Sequence, residues 1–188
     1  MTTKTELLTI ADWDAMPYGD GNRYEIIEGE LFVSCSPGLT HEIVLMNLIR
    51  RIGRFLDDNP IGLFVSGPGM ILSNFSGVIP DAVFILKEQR DNIVKDDRLH
   101  APPALVVEIL SPGAANIRRD RISKLNLYAE HGIPEYWIVD PKNKAVERYI
   151  RENSSLILHE TLQHEDVLKM TALPGFSCPV SHIFKDIE

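Results

Sequence analysis

The chain has 188 residues, of which 44% are hydrophobic and 24% are charged, and this composition fits a globular fold with a substantial core. Its apolar runs are far shorter than the roughly 20 residues of a membrane-spanning helix. The net charge of −8 argues against a protein that coats nucleic acid through a broad basic face. It does not exclude an enzyme that collects carboxylates at its site and confines its cations to a groove.

The sequence also indicates the cellular compartment of the protein and its number of domains. The N-terminal residues lack the charged, apolar and small-residue pattern of a signal peptide. Cys35 and Cys178 match no zinc-binding or redox spacing. We therefore expect a cytoplasmic protein with reduced thiols and no membrane segment. Since neither repeats nor linkers interrupt the sequence, we also expect one domain over residues 1–188.

The first elements in chain order are a short helix and a hairpin. Thr9 can cap a helix over residues 11–16, and the turn-forming segment 17–21 then ends it. Residues 24–34 predict two strands joined at Glu28-Gly29, a dipeptide that favours a tight hairpin turn.

A long amphipathic helix is predicted next. Apolar residues recur at i, i+3 and i+4 from His41 to about Asp57, and Thr40 can cap the first turn. Arg50, Arg51 and Arg54 occupy the opposite side. A solvated face explains these arginines better than contact with a phosphate backbone.

Short strands follow the long helix. Residues 62–65 and 70–72 are expected to pair across the turn 66–69, and residues 78–86 predict a strand that carries Pro80-Asp81. The next run, 104–110, is almost wholly aliphatic and is preceded by two prolines, which is typical of a strand covered on both faces.

Glu108 lies inside this aliphatic run. Because side chains alternate along a strand, Val106, Glu108 and Leu110 share one face. A carboxylate on a buried face must be paired, protonated or bound to a metal. The sequence therefore predicts a partner for Glu108.

The last part of the chain predicts a helix followed by further strands. Residues 114–131 have helical spacing, and Gly132 can end the helix. The predicted apolar stripe of this helix consists of Ile122, Leu125 and Ala129. Beside it lies a second stripe of Asp120, Lys124 and Tyr128. Further strands are expected at 136–140, 145–151, 156–159 and 167–170. This order predicts an α/β fold in which helices flank a mixed sheet, with a βαβ crossover between 104 and 140.

Asp81, Glu108 and Lys124 form the candidate site. If the two acids lie on neighbouring strands, they can hold a hard cation such as Mg²⁺, and Lys124 can orient an attacking water. Each residue also has a simpler explanation. Asp81 alone is better explained as a turn residue, and Lys124 alone as an i, i+4 partner of Asp120. For Glu108, a buried salt bridge explains the buried carboxylate as well as a bound metal does.

Taken as an ordered set, several motifs resemble the Uma2 family, also called DUF820, which is placed in the PD-(D/E)xK nuclease superfamily. The motifs are the hairpin at 24–31, the helix that opens at His41, Pro80-Asp81, residues 107–112, Asp120, residues 124–128 and residues 132–141. The resemblance covers roughly residues 10–170. It implies a restriction-endonuclease-like fold with a central mixed sheet, an N-terminal hairpin and a nuclease-like core at about 22–150.

The same resemblance implies residue roles. Asp81 and Glu108 would be metal ligands, and Ile109 could lend its backbone carbonyl. The lysine that the superfamily pattern places two residues after the glutamate is Leu110 here. Its role would therefore pass to Lys124 on the following helix.

Two further residues are candidates for supporting the site. Glu25 is either an extra metal ligand or an exposed strand charge, and the exposed charge is favoured. His41, in the first turn of the long helix, is favoured as a surface or supporting residue over a catalytic one.

These inferences lead to an expected function, a Mg²⁺- or Mn²⁺-dependent endonuclease that acts on DNA. A homodimer would suit cleavage of a duplex, although no residue demonstrates it. One alternative is a catalytically degenerate nuclease fold that serves as a DNA-binding or interaction module. The acidic net charge and the missing Glu-x-Lys motif favour that alternative. A second alternative is a hydrolase of another phosphate ester.

Overall fold

Two six-stranded sheets and the helices packed on them account for most of the chain. The computed structural model describes residues 6–17 and 19–187. In chain order the elements are α1 (Ile10–Asp14), β1 (Asn22–Ile27), β2 (Glu30–Cys35), α2 (Leu39–Asp58), β3 (Gly62–Ser66), β4 (Met70–Ser73), β5 (Ser76–Val78), β6 (Ala82–Leu86), α3 (Arg90–Ile93), β7 (Val94–Lys95), β8 (Arg98–Leu99), β9 (Leu105–Ile109), α4 (Ala114–Arg118), a π-helical segment (Arg119–Lys124), α5 (Leu125–Glu130), β10 (Glu135–Asp140), β11 (Ala145–Glu152), β12 (Ser155–Gln163), β13 (Val167–Leu168), β14 (Cys178–Pro179) and a 3-10 helix (Val180–His182). Tyr18, part of the predicted break at 17–21, lies outside the described residues.

The main sheet has the strand order β12-β11-β10-β9-β6-β3. β9 and β10 are parallel, and the other neighbours in this sheet are antiparallel. The helical residues between β9 and β10 make the crossover that the sequence predicts. All five residues of β9 are buried, as its aliphatic composition indicates. The mixed α/β fold with a central sheet flanked by helices is therefore confirmed.

The second sheet has the order β2-β1-β5-β4-β8-β7 and includes the predicted N-terminal hairpin. β1 and β2 pair antiparallel up to Ile27 and Glu30. Glu28 and Gly29 connect them with φ angles of 51° and 81°. A two-residue turn with both φ values positive matches the right-handed twist of the strands. The local sequence thus determines this hairpin.

The main sheet has a hydrophobic core on each face. On one face, α2 packs through Val44, Leu48 and Ile52 against alternate residues of β6, β9 and β10. On the other face, Leu127 and Tyr128 of α5 pack against the remaining alternate residues, such as Val83 and Val106. Since Glu108 is two residues from Val106, it lies on the α5 side of the sheet.

Three local predictions about strands and caps are wrong. β3 pairs with β6 in the main sheet, whereas β4 pairs with β5 in the second sheet, so residues 62–65 and 70–72 are not partners. The expected strand over 78–86 is divided between the two sheets, and Asp81 lies at the bend just before β6. Gly38, and not Thr40, precedes the first turn of α2.

The predicted apolar stripe of the last helix is wrong at Ile122, whereas Leu125 and Ala129 are partly buried and pack against the core. Ile122 is 51% exposed, whereas Asp120, Lys124, Leu127 and Tyr128 are buried. The reason is the π-helical segment, whose wider turn changes which side chains face the sheet. The neighbouring stripe of Asp120, Lys124 and Tyr128 is the one that turns inward.

The structure also describes the state of the two cysteines and the character of the helices. Cys35 and Cys178 are free thiols, as expected. Within residues 6–17 and 19–187, we find no helix with the length and apolar character that a membrane crossing requires.

Candidate active site

Asp81 is held in place at the bend before β6. Its Oδ2 accepts a 2.8 Å hydrogen bond from the backbone N–H of Ile109 and lies 3.0 Å from His41 Nε2. Its Oδ1 accepts a 2.8 Å hydrogen bond from Arg23 Nη1. Ala82 pairs with Val107, so Asp81 lies one step further along, beside Glu108. The structure therefore brings Asp81 and Glu108 together.

The environment of Asp81 favours its ionised form. Burial opposes ionisation, but the hydrogen bond and charge of His41, together with the charges of Arg23 and Lys124, lower the pKa of Asp81 below its usual range. The simpler explanation of Asp81 as a turn residue fits its position in the chain. It does not account for the contacts with His41 and Arg23.

Glu108 is 1% exposed and lies against the last helix. Its Oε1 accepts hydrogen bonds from Lys124 Nζ at 2.9 Å and from the Tyr128 hydroxyl at 2.7 Å. Burial is the main influence on this group and raises the pKa of Glu108 to about 8, although the charge of Lys124 opposes that rise. The predicted partner of Glu108 is therefore a buried amine supplemented by a phenol.

Lys124 is fully buried, with 0% of its side chain exposed. Its Nζ lies 2.8 Å from Glu25 Oε1, 2.9 Å from Glu108 Oε1 and 3.9 Å from Asp120 Oδ1. Burial alone would lower the pKa of Lys124, but these three carboxylates outweigh it and raise the pKa. The i, i+4 contact with Asp120 is the longest of the three, so it does not explain the position of Lys124.

Glu25 is buried, and the expectation of an exposed strand charge is wrong. Because alternate residues of a strand point the same way, β1 directs both Arg23 and Glu25 toward the site. Glu25 Oε1 accepts a 2.8 Å hydrogen bond from the Ile79 N–H in addition to its contact with Lys124. Glu25 Oε2 is buried without a hydrogen-bond partner among the described residues, although Arg119 Nη1 lies 3.8 Å away.

His41 occupies the first turn of α2 and is buried against Asp81. Its Nδ1 lies 3.3 Å from Glu42 Oε1. Burial lowers the pKa of His41, but the hydrogen bond and charge of Asp81 raise it by more. The position of His41 fits the expected supporting role, since it contacts the carboxylate of Asp81.

The acids and the bases that form the buried cluster at the site are equal in number. The acids are Glu25, Asp81, Glu108 and Asp120, and the bases that contact them are Arg23, His41, Arg119 and Lys124. Removing so many charges from water is unfavourable unless each has a partner. The arrangement offsets that penalty by pairing the acids and bases within one cluster.

A cavity of about 330 Å³ opens beside Asp81. Its walls include Arg23, His41, Ile109 and Arg119, whereas Glu108 and Lys124 lie behind its surface. Through Arg23 it adjoins a cavity of about 610 Å³, and through His41 it adjoins another of about 560 Å³. Asp81 thus lines the middle one of three cavities that share wall residues, and these three cavities together are called the groove.

The donor chemistry of the site fits a hard divalent cation. Within the described ranges, no group of three or more His, Cys, Asp or Glu residues is arranged to hold a metal. Mg²⁺ needs only one or two carboxylates, because water and substrate phosphate complete its coordination. Asp81 and Glu108 supply that pair, and both hydrogen bonds of Glu108 use Oε1. Ile109, whose carbonyl the family resemblance implies as a ligand, contacts Asp81 through its N–H.

Sequence reasoning missed several members of the charge cluster. Arg23 was not identified, although it lies two residues before the candidate Glu25 in β1, and the alternation of side chains along a strand could have indicated that both face the site. The sequence contains no comparable indication for Arg119, because this residue faces inward on the π-helical segment. Tyr136 was also missed, and its hydroxyl donates a 3.0 Å hydrogen bond to the Asp120 carbonyl.

The comparisons with known proteins concern the family and the fold. The sequence model of the Uma2 family, described as “Putative restriction endonuclease”, matches residues 10–181. Among solved structures, a “putative nuclease belonging to DUF820” from Anabaena variabilis superposes with a TM-score of 0.74 at 14% identity. The similarity covers 94% of this chain and 97% of that one, and it shows a shared fold. Among curated proteins, none matches this chain.

Proposed function

The chain belongs to the Uma2 family, and from this membership and the geometry of the site we propose that it is a Mg²⁺- or Mn²⁺-dependent endonuclease that hydrolyses DNA. One observation carries the proposal most directly. The carboxylate of Asp81 is held against the backbone beside Glu108, and Lys124 Nζ lies 2.9 Å from Glu108 Oε1. This arrangement of two acids and an amine from distant parts of the sequence supports the proposal.

Each of these residues has a separate role in the proposal. Asp81 and Glu108 would hold the metal ion, and the Ile109 carbonyl would be a further ligand. When bound, the metal supplies polarisation of a phosphoryl oxygen and a lower pKa for a coordinated water. Lys124 orients the attacking water and stabilises negative charge that develops on the phosphate. His41 keeps the Asp81 carboxylate in position.

Isosteric replacement of the two acids tests the proposal. Asp81→Asn and Glu108→Gln keep the size of each side chain but remove its charge. We expect each variant to lower Mg²⁺-dependent cleavage of plasmid DNA by at least about 100-fold, because the metal loses a ligand. Glu130→Gln is the matched control, since Glu130 is an exposed residue of α5. Cleavage at the wild-type rate by both site variants would contradict the proposal.

A degenerate nuclease fold that binds DNA or a protein without cutting is the second candidate. It is favoured by the burial of Lys124 and Glu108 behind the cavity surface and by the net charge of −8. Calorimetric titration with Mn²⁺ separates the two candidates. The endonuclease should show saturable binding that Glu108→Gln removes, whereas the degenerate fold should show none.

Location and assembly belong to the same proposal. We place the protein in the cytoplasm and expect a homodimer, because two sites suit cleavage of both strands of a duplex. Sedimentation analysis of the protein with and without DNA measures the assembly directly. A monomer in both conditions would remove the dimer from the proposal and leave the chemistry unchanged.

A further inference from the structure

Arg23 stands at the boundary between two parts of the groove. Its side chain lines both the 330 Å³ cavity at Asp81 and the adjoining 610 Å³ cavity. Both hydrogen bonds that it makes with described residues come from Nη1, to Asp81 Oδ1 at 2.8 Å and to the Ile79 carbonyl at 3.3 Å. The side chain remains 26% exposed. The guanidinium therefore keeps donors available for a molecule in the groove.

The two oxygens of Asp81 have different partners. Oδ2 is held by the Ile109 N–H and lies beside His41. Oδ1 is hydrogen-bonded, among the described residues, by Arg23 alone. Any cation that binds Asp81 through Oδ1 must therefore share that oxygen with a guanidinium or displace it.

Arg119, the second arginine that lines the cavity at Asp81, contacts other carboxylates instead. Arg119 Nε donates a 2.9 Å hydrogen bond to Asp120 Oδ1, and its Nη1 lies 3.8 Å from Glu25 Oε2. It is only 10% exposed. Arg119 is thus committed to the buried cluster, whereas Arg23 is the more accessible cation.

We propose that Arg23 is an exchangeable positioning residue, which neutralises Asp81 in the metal-free protein and binds a phosphate of the DNA strand once metal and DNA are present. The proposal rests on the function proposed above. A guanidinium and a divalent cation on one carboxylate repel each other, so metal binding favours release of Arg23. A phosphate in the groove matches the planar donor geometry of the released guanidinium.

The exchange predicts that removing the charge of Arg23 strengthens the binding of Mn²⁺ and weakens the binding of DNA. Arg23→Gln removes the competing cation from Asp81, so Mn²⁺ should bind the DNA-free protein about 3- to 10-fold more tightly. The same variant loses one phosphate contact. Its DNA affinity should fall about 10-fold, and the slope of log K against log salt should decrease by about 1. A residue that only supports the fold would weaken both interactions.

The experiment combines two binding measurements. Calorimetry with Mn²⁺ measures metal binding to the DNA-free protein. Fluorescence anisotropy with a short labelled DNA duplex in Ca²⁺, a cation that also prefers oxygen ligands, measures DNA binding. Arg54→Gln is the control, because it removes the same charge from an exposed position of α2 and should change metal affinity little.

A second variant covers the case in which Arg23→Gln fails to fold. Arg23→Lys keeps the charge but loses the planar donors, so it should leave Mn²⁺ affinity near the wild-type value and still weaken DNA binding. Circular dichroism checks that both variants are folded. Tighter Mn²⁺ binding by Arg23→Gln, or weaker DNA binding by Arg23→Lys with unchanged Mn²⁺ binding, supports the exchange.

The results also separate this inference from the proposed function. Unchanged or weaker Mn²⁺ binding by folded Arg23→Gln overturns the exchange, even if the wild-type protein cleaves DNA. If the wild-type protein binds Mn²⁺ and DNA without cleavage, the endonuclease proposal fails. In that case tighter Mn²⁺ binding and weaker DNA binding by Arg23→Gln still support the exchange. Failure of the wild-type protein to bind Mn²⁺ overturns both.

Discussion

Lys124 shows how strongly a single buried residue depends on its partners. The side chain is completely enclosed, and its Nζ contacts the carboxylates of Glu25 and Glu108. Removing one member of a buried ion pair is strongly unfavourable because the remaining charge is left without compensation. Lys124 is therefore expected to contribute to stability as well as to the proposed chemistry.

Lys124→Met tests both contributions, because methionine has a similar length but no charge. We expect the free energy of unfolding to fall by about 3 kcal/mol, as two buried acids lose their cation. We also expect DNA cleavage to fall by at least about 100-fold. Urea denaturation and a plasmid cleavage assay measure the two effects. Lys95→Met, at an exposed position of β7, is the control and should change neither. A folded Lys124→Met variant with normal cleavage would assign Lys124 to structure alone.

Sequence reasoning about single residues succeeded where the chemistry of one position was restrictive. A glutamate inside an aliphatic strand required a partner, and Lys124 supplies it. The exposure of Glu25 could not be judged in the same way. Whether a hairpin strand faces solvent or another element depends on tertiary packing, and β1 pairs with β5 beside the site. The contact of Arg23 with Asp81, 58 residues away, was missed for the same reason.

Among the elements, the β1–β2 hairpin is the one most clearly determined by local sequence. Its turn requires a positive φ at Gly29, where the angle is 81°. A Cβ at this position would lie 2.7 Å from Leu7 Cβ. The hairpin carries Arg23 and Glu25 into the site, so its turn geometry bears on the position of both charges.

Gly29→Ala and Gly53→Ala should have opposite effects on stability. At Gly29 the left-handed backbone and the contact with Leu7 should lower the free energy of unfolding by about 1–2 kcal/mol. Gly53 lies inside α2, and a Cβ there would meet nothing within 4 Å. Replacing it should therefore stabilise the helix by about 1 kcal/mol. Thermal denaturation should show a lower Tm for the first variant and a higher Tm for the second; the same direction in both would contradict this account.

The presence of the main elements was predictable, but their boundaries, strand partners and helix phase were less so. Burial and aliphatic content correctly indicated β9 and β10, and helical periodicity indicated α2. The partners of β3 and β4 lie in different sheets, and no local pattern distinguishes that arrangement from a hairpin. The π-helical segment at 119–124 shifted the helix phase, because a wider turn leaves no simple periodicity in the sequence.

At the scale of the whole molecule, the proposed metal site links ligand binding to folding. Asp81 and Glu108 come together only when β6 and β9 pair. A ligand that binds the native state but not the unfolded chain stabilises the fold by mass action. Metal binding should therefore be visible as a change in global stability, without any measurement of activity.

Mn²⁺ should raise the Tm of the protein relative to EDTA-treated samples. At a concentration about 100 times the Kd, the expected stabilisation is about 2.7 kcal/mol, which corresponds to about 5–10 °C for a chain of this size. Differential scanning calorimetry measures the shift. Asp81→Asn should abolish it, whereas Asp91→Asn, at an exposed position, should preserve it. Equal shifts in both variants would locate the ion away from Asp81.

The charge cluster includes contacts between residues that are 16 to 58 positions apart along the chain, and its Lys124 contacts Glu25 of β1, which is further away still. Contacts of this kind form only after long loops have closed, and they tend to be completed late in folding. During synthesis, the emerging polypeptide therefore has no assembled centre until the segment that bears Lys124 has left the ribosome and docked against β1. The proposed nuclease activity would therefore be absent until folding is complete.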